Sequence, residues 1–558
     1  LRKGPPQIAK DLTEKLAQNA ALEKICHVAP VGPYVNFTIK PEVLTRNVLG
    51  ALLTSGNRIA ERHVSRIPTV IIEFSSPNVA KPFNIYHLRS TMIGNSLYRI
   101  YAARGFDPFA IKHLGDWGSQ YGTLALAYER WGDDKELDKR GIEYLVELYV
   151  RINKEMETDE DLVKKTREYF ARLERGDSDI EIMWKKFVDL SIAEFSKTYK
   201  RLGVKFDHFT GESFYIYQVP AVEKLLTDKK LLVESEGAQV VNLDAYEMPP
   251  CIVRKSDGST IYATRDLAAA IYRKKQYGFE KCVYVVGGEQ RLHFKQVFKV
   301  LELAGFEWAP QCEHVGFGLY RFNDAKMSTR KGNFVTMESV LDHAVERVNE
   351  IIEKSWTEKF PADGSKGPTP SSEERAEAAE IIGTGAIVFY DLATDRNTDV
   401  NFDLERVLDF EGETGPYIQY AHTRCLSILR NAPKILLGGI QVEALFELDH
   451  KDAAHTAGIE GLWKTASLKL SATEELDLVR ILARMPIILD DVIEHSKPSM
   501  LATYLLDVTK VFGQFYRAHK VLVDDPNLAK SRLALVLATQ RTLLKGLTLL
   551  GMRAPKRM

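Results

Sequence analysis

The alternation of strand and helix patterns that begins near residue 66 constrains the fold more than any other feature of the chain. The β-branched run "TVIIEF" at 69–74 is typical of a buried strand, and helical spacing of apolar residues begins at about His87. The segments "FAIKHLG" and "DWGSQYGTLALAYERW" repeat this order of strand and helix. Such βαβ units predict a parallel, doubly wound sheet.

Two segments interrupt the alternation before it resumes. A charged and mostly helical stretch at about 133–203 is interpreted as an inserted subdomain. The runs "AQVVNL" and "CIVRKSDGSTIYAT" predict a hairpin, with Asp257 and Gly258 in its tight turn. Helix and strand patterns then return in "TRDLAAAIYRKKQYG", "KCVYVVG", "EQRLHFKQVFKVLELAG" and "HVGFGLYRF", and the last of these ends at Phe322.

The C-terminal third of the chain has a different pattern. Residues 359–374 are rich in Pro, Gly, Ser and charge, which predicts a flexible insertion between helices. Beyond Gly415 the patterns are almost only helical and predict a terminal bundle. One buried helix face is predicted from apolar residues at helical spacing, namely Leu501, Tyr504, Leu505, Val508, Val511, Phe512, Phe515 and Tyr516.

Composition excludes some classes of protein. The 558 residues imply three or four domains, and 45% apolar with 27% charged residues is ordinary for a globular protein. No apolar run is long enough to span a membrane. The five cysteines are scattered without a C-x-x-C pair, which indicates a reducing compartment and argues against structural zinc.

The charge is distributed unevenly along the chain. The net charge is −1, yet residues 497–558 contain eleven Lys or Arg and three Asp, which gives 11 − 3 = +8. A basic C-terminal region on an acidic body is typical of a nucleic-acid footprint, although basic helix ends are also common on ordinary surfaces.

Two motifs carry groups suited to phosphate. The stretch "KMSTRKG" at 326–332 follows a predicted strand and combines cations with a hydroxyl, as a phosphate-binding loop would, while a solvated basic turn is the plainer interpretation. Upstream, "EFSSPNVAKPFNIYHLRSTMIG" leads from a strand to a helix N-terminus, where free N–H groups favour an anion. His87 and Asn84 can both face that anion, although a lone histidine there is more often a cap.

Together the two motifs resemble the signatures of class I aminoacyl-tRNA synthetases. The blocks "SSPNVAKPFNIYHLRST", "HLGDWGSQYG", "YATRDLAAA" and "GPYIQYAHTR" are similar, in order and spacing, to those of the arginyl-tRNA synthetases. With "GPYVNF" near the start and "LLGMRAPKRM" at the end, the resemblance covers nearly the whole chain. The abrupt start at Leu1 suggests that part of the N-terminal domain is missing.

The resemblance implies an α/β fold with a Rossmann-like catalytic domain and further domains at both ends. We expect a partial tRNA-contacting domain at 1–62, a catalytic domain at 63–345 with its helical insertion, a linking helical region at 346–410, and an all-α anticodon-binding domain at 411–558. It also implies a monomer that works in the cytoplasm.

The implied reaction joins L-arginine to tRNA(Arg) at the expense of ATP, with Mg²⁺ carried by the nucleotide and no zinc. Catalysis of such a phosphoryl reaction rests on positioning and electrostatic stabilisation. By resemblance, the residues at the phosphates and in the closing loop are Lys81, Asn84, His87, Lys326, Met327, Ser328, Arg330 and Lys331.

Recognition of arginine needs carboxylates that accept a planar guanidinium. By resemblance, the arginine-binding residues are Glu73, Ser76, Asn78, Tyr262, Asp266 and Gln290. Asp266 could also be a plain first-turn acid of a helix, and Glu73 an edge-strand surface residue.

For tRNA, the helical bundle combines aromatic and cationic side chains. Bases stack on aromatic rings and guanidinium planes. The predicted tRNA-binding residues are Tyr417, Tyr420 and Arg424, which share one helix face, and by resemblance also Tyr516 and Met558. Tyr516 also fits the buried stripe of its helix, so core packing is an alternative there.

The chain departs from the family pattern at both signatures. The usual His-x-Gly-His is Asn84-Ile85-Tyr86-His87 here, and the second signature lacks its second lysine. Asn84 can donate to phosphate but cannot become cationic, and Tyr86 replaces a glycine that lets adenine approach the backbone. We expect an active enzyme. The alternatives are a catalytically impaired tRNA-binding paralogue and a class I synthetase of other specificity, or a related adenylyltransferase.

Overall fold

The computed structural model describes residues 3–62, 66–256, 258–322, 336–359, 371–410, 412–449, 452–464 and 468–558. The predicted phosphate loop at 326–332, the turn residue Asp257 and most of the predicted flexible insertion lie outside these ranges. No helix in the described part of the chain is both long and apolar enough to cross a bilayer.

The N-terminal unit is a small hairpin flanked by helices. Gly32 has a φ of +59°, which the two-residue turn of the hairpin requires and which glycine adopts without strain. The elements are α1 (Pro5–Ala17), α2 (Ala20–Glu23), β1 (Cys26–Val31), β2 (Tyr34–Ile39) and α3 (Pro41–Thr54). The guanidinium of Arg541 donates to the carbonyl of Leu53 at 2.7 Å, which ties α3 to the C-terminal bundle.

The first half of the α/β domain has the predicted alternation, with β3 (Thr69–Phe74), α4 (Leu88–Ala103), β4 (Asp107–Lys112) and α5 (Ser119–Trp131). Val70, Ile71 and Ile72 are all fully buried. This run is apolar on both faces because β3 has neighbouring strands on both sides and helices over the sheet.

The predicted inserted subdomain is confirmed as four helices, α6 (Asp134–Arg140), α7 (Ile142–Met156), α8 (Glu160–Glu174) and α9 (Ser178–Arg201). Three of them begin after an aspartate, Asp133, Asp159 or Asp177, whose carboxylate accepts from backbone N–H groups of the first turn. The subdomain has its own apolar core, which includes Leu145, Ile152 and Phe187.

The second half resumes the alternation around a small antiparallel sheet. Its elements are β5 (His208–Phe209), α10 (Glu212–Tyr215), α11 (Val219–Asp228), β6 (Leu232–Ser235), β7 (Ala238–Val241), β8 (Cys251–Arg254), α12 (Tyr262–Tyr277), β9 (Lys281–Val285), α13 (Arg291–Leu303), β10 (Cys312–His314) and β11 (Tyr320–Phe322). Strands β7 and β8 pair antiparallel as predicted.

Two predicted boundaries were wrong. The second hairpin strand ends at Arg254 rather than Thr264, because α12 begins at Tyr262 and buries Ala263 and Leu267 on one side. The run "HVGFGLYRF" is not one strand but the end of β10 and the whole of β11, separated by glycines that weaken a strand.

The main sheet is parallel, in the order β10-β9-β3-β4-β5. The strand order reverses between β3 and β9. In such open sheets, ligands bind outside the carboxyl ends of the strands at this reversal. The residues after β3, β4 and β9 are therefore the first place to look for a site.

The C-terminal part is helical, as predicted, apart from one short strand that pairs parallel with β11. The elements are α14 (Met337–Lys359), α15 (Ser372–Ala393), β12 (Val400–Phe402), α16 (Leu404–Val407), α17 (Gly415–Arg430), α18 (Lys434–Leu437), α19 (Ala453–Trp463), α20 (Thr473–Leu482), α21 (Met485–His495), α22 (Ser499–Ala518) and α23 (Pro526–Leu549). The predicted stripe of α22 is buried at Leu501, Leu505 and Phe512, whereas Tyr516 is 39% exposed.

Candidate active site and tRNA-binding face

The turn after β3 is held in an unusual backbone conformation. Ser75 has a φ of +58°. Its hydroxyl contacts the Tyr199 phenol at 2.8 Å and accepts from the Thr91 hydroxyl at 2.7 Å. These bonds fix the turn to α4 and α9, and they leave Ser76 and Asn78, two predicted arginine-binding residues, exposed at the carboxyl end of the sheet.

The Asn78 side chain lies directly against the backbone of Gly115. The two residues form a parallel bridge, and a Cβ on residue 115 would overlap the Asn78 Oδ1 atom. The N–H of Val79 donates to the Gly115 carbonyl at 3.1 Å. The glycine of "HLGDWG" therefore shapes the site by admitting the Asn78 side chain.

The first signature forms a reciprocal cap at the start of α4. The Asn84 N–H donates to His87 Nδ1 at 3.1 Å, and the Tyr86 N–H donates to Asn84 Oδ1 at 3.1 Å. Burial lowers the pKa of His87 to about 4, and the nearby cations Lys112 and Lys81 act in the same direction. A neutral His87 that accepts at Nδ1 must carry its proton on Nε2.

The first signature also contacts the segment that follows the second signature. Asn84 forms an antiparallel bridge with Thr336, and the Met337 N–H donates to the Phe83 carbonyl at 2.9 Å. The described chain thus stops at Phe322, the end of β11, and resumes at Thr336, beside Asn84. The predicted loop residues Lys326, Met327, Ser328, Arg330 and Lys331 belong to the segment between these points, outside the described residues.

Glu73 already has a partner within the protein. Its carboxylate forms an ion pair with Arg273, and both side chains are buried. The charge of Glu73 helps to hold the pKa of Arg273 well above its ordinary value against the opposing effect of burial. Glu73 is thus no surface residue, and its charge is already balanced by Arg273.

Asp266 lies one turn inside α12, between two histidines. His293 Nε2 is 2.6 Å from Asp266 Oδ2, and His113 Nε2 is 4.0 Å from Asp266 Oδ1. Tyr262 is 55% exposed one helical turn before Asp266, and Gln290 is exposed at the start of α13. Three of the predicted arginine-binding residues therefore surround the carboxyl end of β9.

Sequence reasoning missed Glu212, the first residue of α10. Its buried carboxylate lies 2.9 Å from Arg265 Nε. Burial, together with the charges of Asp266 and Asp116, raises the pKa of Glu212 to about 8. Such a carboxyl group is stabilised by any additional cation. A single acid in "TGESFY" has no spacing pattern that could have revealed it.

Three of the five predicted tRNA-binding residues form one aromatic and cationic patch on the bundle. The Arg424 guanidinium lies 4.8 Å from the Tyr420 ring centroid and 5.0 Å from that of Tyr516. Arg424 also donates to the Tyr420 hydroxyl. Tyr417 and Met558 are half-buried against the core nearby in the fold.

The basic C-terminal region is only partly available to a nucleic acid. Arg532, Arg541 and Lys545 are all buried. Arg532 pairs with Glu475 at 2.8 Å, and Lys545 donates to the Asn57 carbonyl at 2.7 Å. Arg532 joins α23 to α20 within the bundle, whereas Arg541 and Lys545 join the bundle to α3 and the turn after it, so the exposed footprint is smaller than the sequence count of +8 suggests.

Comparison with known proteins agrees with this arrangement. Residues 48–404 match the family model "tRNA synthetases class I (R), catalytic domain", and residues 418–558 match the "DALR anticodon binding domain". The arginine–tRNA ligase of Clostridium botulinum (strain Alaska E43 / Type E3) is 44% identical over 559 residues, covering 100% of this chain and 92% of its own length.

Solved structures give the same result. The arginyl-tRNA synthetase of Thermus thermophilus is 25% identical, with a TM-score of 0.76 over 100% of this chain and 92% of its own. That of Plasmodium falciparum shares the fold at 24% identity, with a TM-score of 0.74 and the same coverage of both chains. Since both the catalytic and the anticodon-binding parts are matched, the chain belongs to the class I arginyl-tRNA synthetases, as the two signature motifs predicted.

Proposed function

We propose that the chain is an active arginine–tRNA ligase. It joins L-arginine to the α-phosphate of ATP with release of pyrophosphate, and then transfers the arginyl group to the 3′-terminal adenosine of tRNA(Arg). The observation that carries this proposal is the acidic pocket formed by the side chains of Asp266 and Glu212, which are close enough for the charge of Asp266 to raise the pKa of Glu212, and which pair with His293 and Arg265.

The pocket suits a guanidinium better than an ammonium. Asp266 supplies a carboxylate from α12, and Glu212 supplies a carboxyl group from α10 that a bound guanidinium would help to ionise, while Tyr262 supplies an exposed ring on which a planar cation can pack. Ser76, Asn78 and Gln290 lie at the same edge of the sheet and are proposed to bind the α-amino and carboxylate groups and the side chain. Glu73 contributes through Arg273.

The proposed activation step relies on fixed donors around the phosphates. His87 offers a neutral Nε2–H, Asn84 offers an amide, and Lys81 is an exposed cation in the same turn. We propose that Lys326, Met327, Ser328, Arg330 and Lys331 close over the nucleotide. Their segment returns beside Asn84, which supports this placement.

Mg²⁺ is proposed to arrive with ATP. The part of the chain that the structure describes has no cluster of three or more His, Cys, Asp or Glu side chains placed to hold a metal ion. The phosphate oxygens of ATP would therefore supply most of the ligands, as Mg²⁺ commonly requires.

The tRNA is proposed to contact both ends of the chain. The patch of Tyr420, Arg424 and Tyr516 would stack on bases of the anticodon loop, with Tyr417 and Met558 beside it. We also propose the domain boundaries 1–62, 63–345, 346–410 and 411–558, which the helical bundle and the sheet support.

A monomer in the cytoplasm is proposed for the active form. The five cysteines are free and buried thiols, which supports a reducing compartment.

The test is arginine-dependent ATP–pyrophosphate exchange in the presence of tRNA(Arg), with lysine and glutamine as competitors. Glu212→Gln is expected to raise the KM for arginine about 30-fold or more, because it leaves one cation of a buried pair without its partner. The control is Glu443→Gln, which breaks an arginine pair in the bundle. Exchange with lysine, or an unchanged KM in Glu212→Gln, would contradict the proposed pocket.

A further inference from the structure

The Asp266 carboxylate is held on one side only. His293 Nε2 lies 2.6 Å from Oδ2, a distance typical of a strong charge-assisted hydrogen bond. The other oxygen, Oδ1, is 4.0 Å from His113 Nε2, beyond hydrogen-bonding distance. The Asp266 side chain is 20% exposed. Oδ2 is therefore anchored, whereas Oδ1 has no hydrogen-bond partner in the described part of the chain.

The orientation of His113 is fixed from behind. An Arg273 Nη2 atom lies 3.5 Å from His113 Nδ1, and a guanidinium can only donate. His113 Nδ1 must then accept, so the proton of a neutral ring is on Nε2 and faces Asp266. Arg273 is itself held by Glu73. A row of polar groups thus runs from Glu73 in β3 through Arg273 to His113, and its last member faces the Asp266–His293 pair across 4.0 Å.

From this geometry we propose that His293 is a positioning residue, which holds Asp266 so that Oδ1 meets the guanidinium of arginine. The inference rests on the proposed function, in which Asp266 reads the substrate. A carboxylate that is free to rotate must lose rotational entropy when it binds a planar fork of donors. A carboxylate anchored at Oδ2 has already lost it, so the binding of arginine is stronger.

The same row of polar groups gives a role to the two charges that are buried beneath the site, those of Glu73 and Arg273. Glu73 and Arg273 contact each other, and both side chains are buried. Their effect on substrate passes through His113, whose proton they place on Nε2. The predicted role of Glu73 as a direct contact of arginine is replaced in this proposal by a role in aligning His113 and Asp266.

The experiment measures KM and kcat for arginine, and KM for ATP, in ATP–pyrophosphate exchange. In His293→Leu, the KM for arginine should rise about tenfold or more, because a hydrogen bond to a charged group is lost, while kcat and the KM for ATP stay within about twofold. In His293→Gln, the amide reaches the position of Nε2 and donates, so the KM should stay within about threefold of the unmodified enzyme.

Two further variants separate positioning from general damage. His519→Leu removes a similar histidine–carboxylate pair, at 3.0 Å from Glu474 in the bundle, and should leave the KM for arginine unchanged. In an Asp266→Asn background, His293→Leu should raise the dissociation constant for arginine no further, because the group that it orients is already altered.

The outcomes distinguish the two levels of the proposal. If the unmodified enzyme shows no arginine-dependent exchange, the proposed function fails. If it is active but His293→Leu leaves the KM for arginine unchanged, or if His293→Gln is as impaired as His293→Leu, the function stands and the positioning role of His293 is wrong.

Discussion

At the scale of single residues, the first signature shows how a departure from a motif can keep its chemistry. His87 is aligned by the Asn84 backbone, which needs no particular side chain at position 84. The ring can therefore present Nε2–H to a phosphate although Asn84 replaces the usual histidine. Tyr86, 37% exposed, directs part of its ring to solvent.

The neutral state of His87 gives a testable pH dependence. With a pKa of about 4, the ring stays neutral above pH 5, so kcat for ATP–pyrophosphate exchange should show no inflection from His87 between pH 5 and 8. His87→Leu removes the donor and should lower kcat roughly 100-fold, while His87→Gln keeps a donor and should lose less. An inflection near pH 6.5 that disappears in His87→Gln would contradict this assignment.

Lys112 is a buried amine at the end of β4. Its Nζ lies 4.3 Å from the centroid of the Tyr199 ring and 4.7 Å from that of Phe195. Burial lowers the pKa of Lys112 from its ordinary 10.5 to about 7. Between those values the unfolded chain binds a proton that the folded protein does not, so the free energy of unfolding rises with pH through this window. The destabilisation caused by burying the charged amine is therefore fully present below pH 7.

Lys112→Met should therefore stabilise the protein at pH 7. The gain should be about 2 kcal/mol, because a buried charge is replaced by an apolar chain of similar length while some cation–π attraction is lost. Urea unfolding at pH 7 and pH 9 should show a smaller rise with pH in the variant than in the unmodified protein. An equal rise in both would mean that Lys112 does not titrate in this range.

The site residues differ in how far sequence can reveal them. His87 and Asp266 stand in long blocks whose spacing and type match a known pattern, and Asn84 stands at a signature position although its type departs from that pattern. Glu212 and His293 are single residues whose importance arises only when α10, α12 and α13 meet at one edge of the sheet. No local period encodes such a meeting, which is why sequence reasoning missed both.

At the scale of elements, the spacing of apolar residues predicted the strands and helices whose burial follows a regular pattern. The strand β3, the helix α4 and the inserted helices were predicted because each has one consistent apolar pattern. The wrong strand boundaries lie where contacts with distant backbone, and not the local pattern, determine the structure. The residues before β11 include Gly318, where a Cβ would lie 2.6 Å from the Thr398 carbonyl oxygen, and such long-range crowding has no local signal.

The packing of α4 on β3 can be tested at a glycine. A Cβ on residue 94 would overlap the Phe74 ring, so Gly94→Ala should lower the free energy of unfolding by about 1–3 kcal/mol. The matched control is Gly513→Ala in α22, whose Cβ would meet only the Arg517 guanidinium at 3.5 Å. The control should be stabilising by up to about 1 kcal/mol, since alanine favours a helix.

Urea unfolding followed by circular dichroism measures both glycine variants under the same conditions. If Gly94→Ala were as stable as Gly513→Ala, the close contact between α4 and β3 would be contradicted.

At the scale of the whole molecule, one apolar core runs from Leu49 in α3 through the sheet to Met552 at the end of the bundle. Buried polar groups are placed within this core. Gln540 donates to His422 Nε2 at 3.0 Å, and burial lowers the pKa of His422 to about 3. The bundle therefore depends on a neutral histidine.

This dependence predicts sensitivity to acid. Below pH 6.5 the unfolded chain binds a proton at His422 that the folded protein excludes down to about pH 3, so stability falls through this window. At pH 5 the contribution is about 2 kcal/mol. His422→Leu should remove this part of the difference between urea unfolding at pH 7.5 and pH 5, whereas the exposed His27→Leu should not. An unchanged difference in His422→Leu would contradict a neutral, buried His422.

Charging of a tRNA(Arg) transcript with radiolabelled arginine tests most directly whether the chain is an active arginine–tRNA ligase. We predict that arginyl-tRNA accumulates only when ATP is present, that lysine and glutamine are not accepted, and that Lys326→Ala reduces the rate while Asp266→Asn raises the KM for arginine. Retention of tRNA without any charging by the unmodified protein would contradict the account, because it would leave a tRNA-binding protein that has lost its catalytic activity.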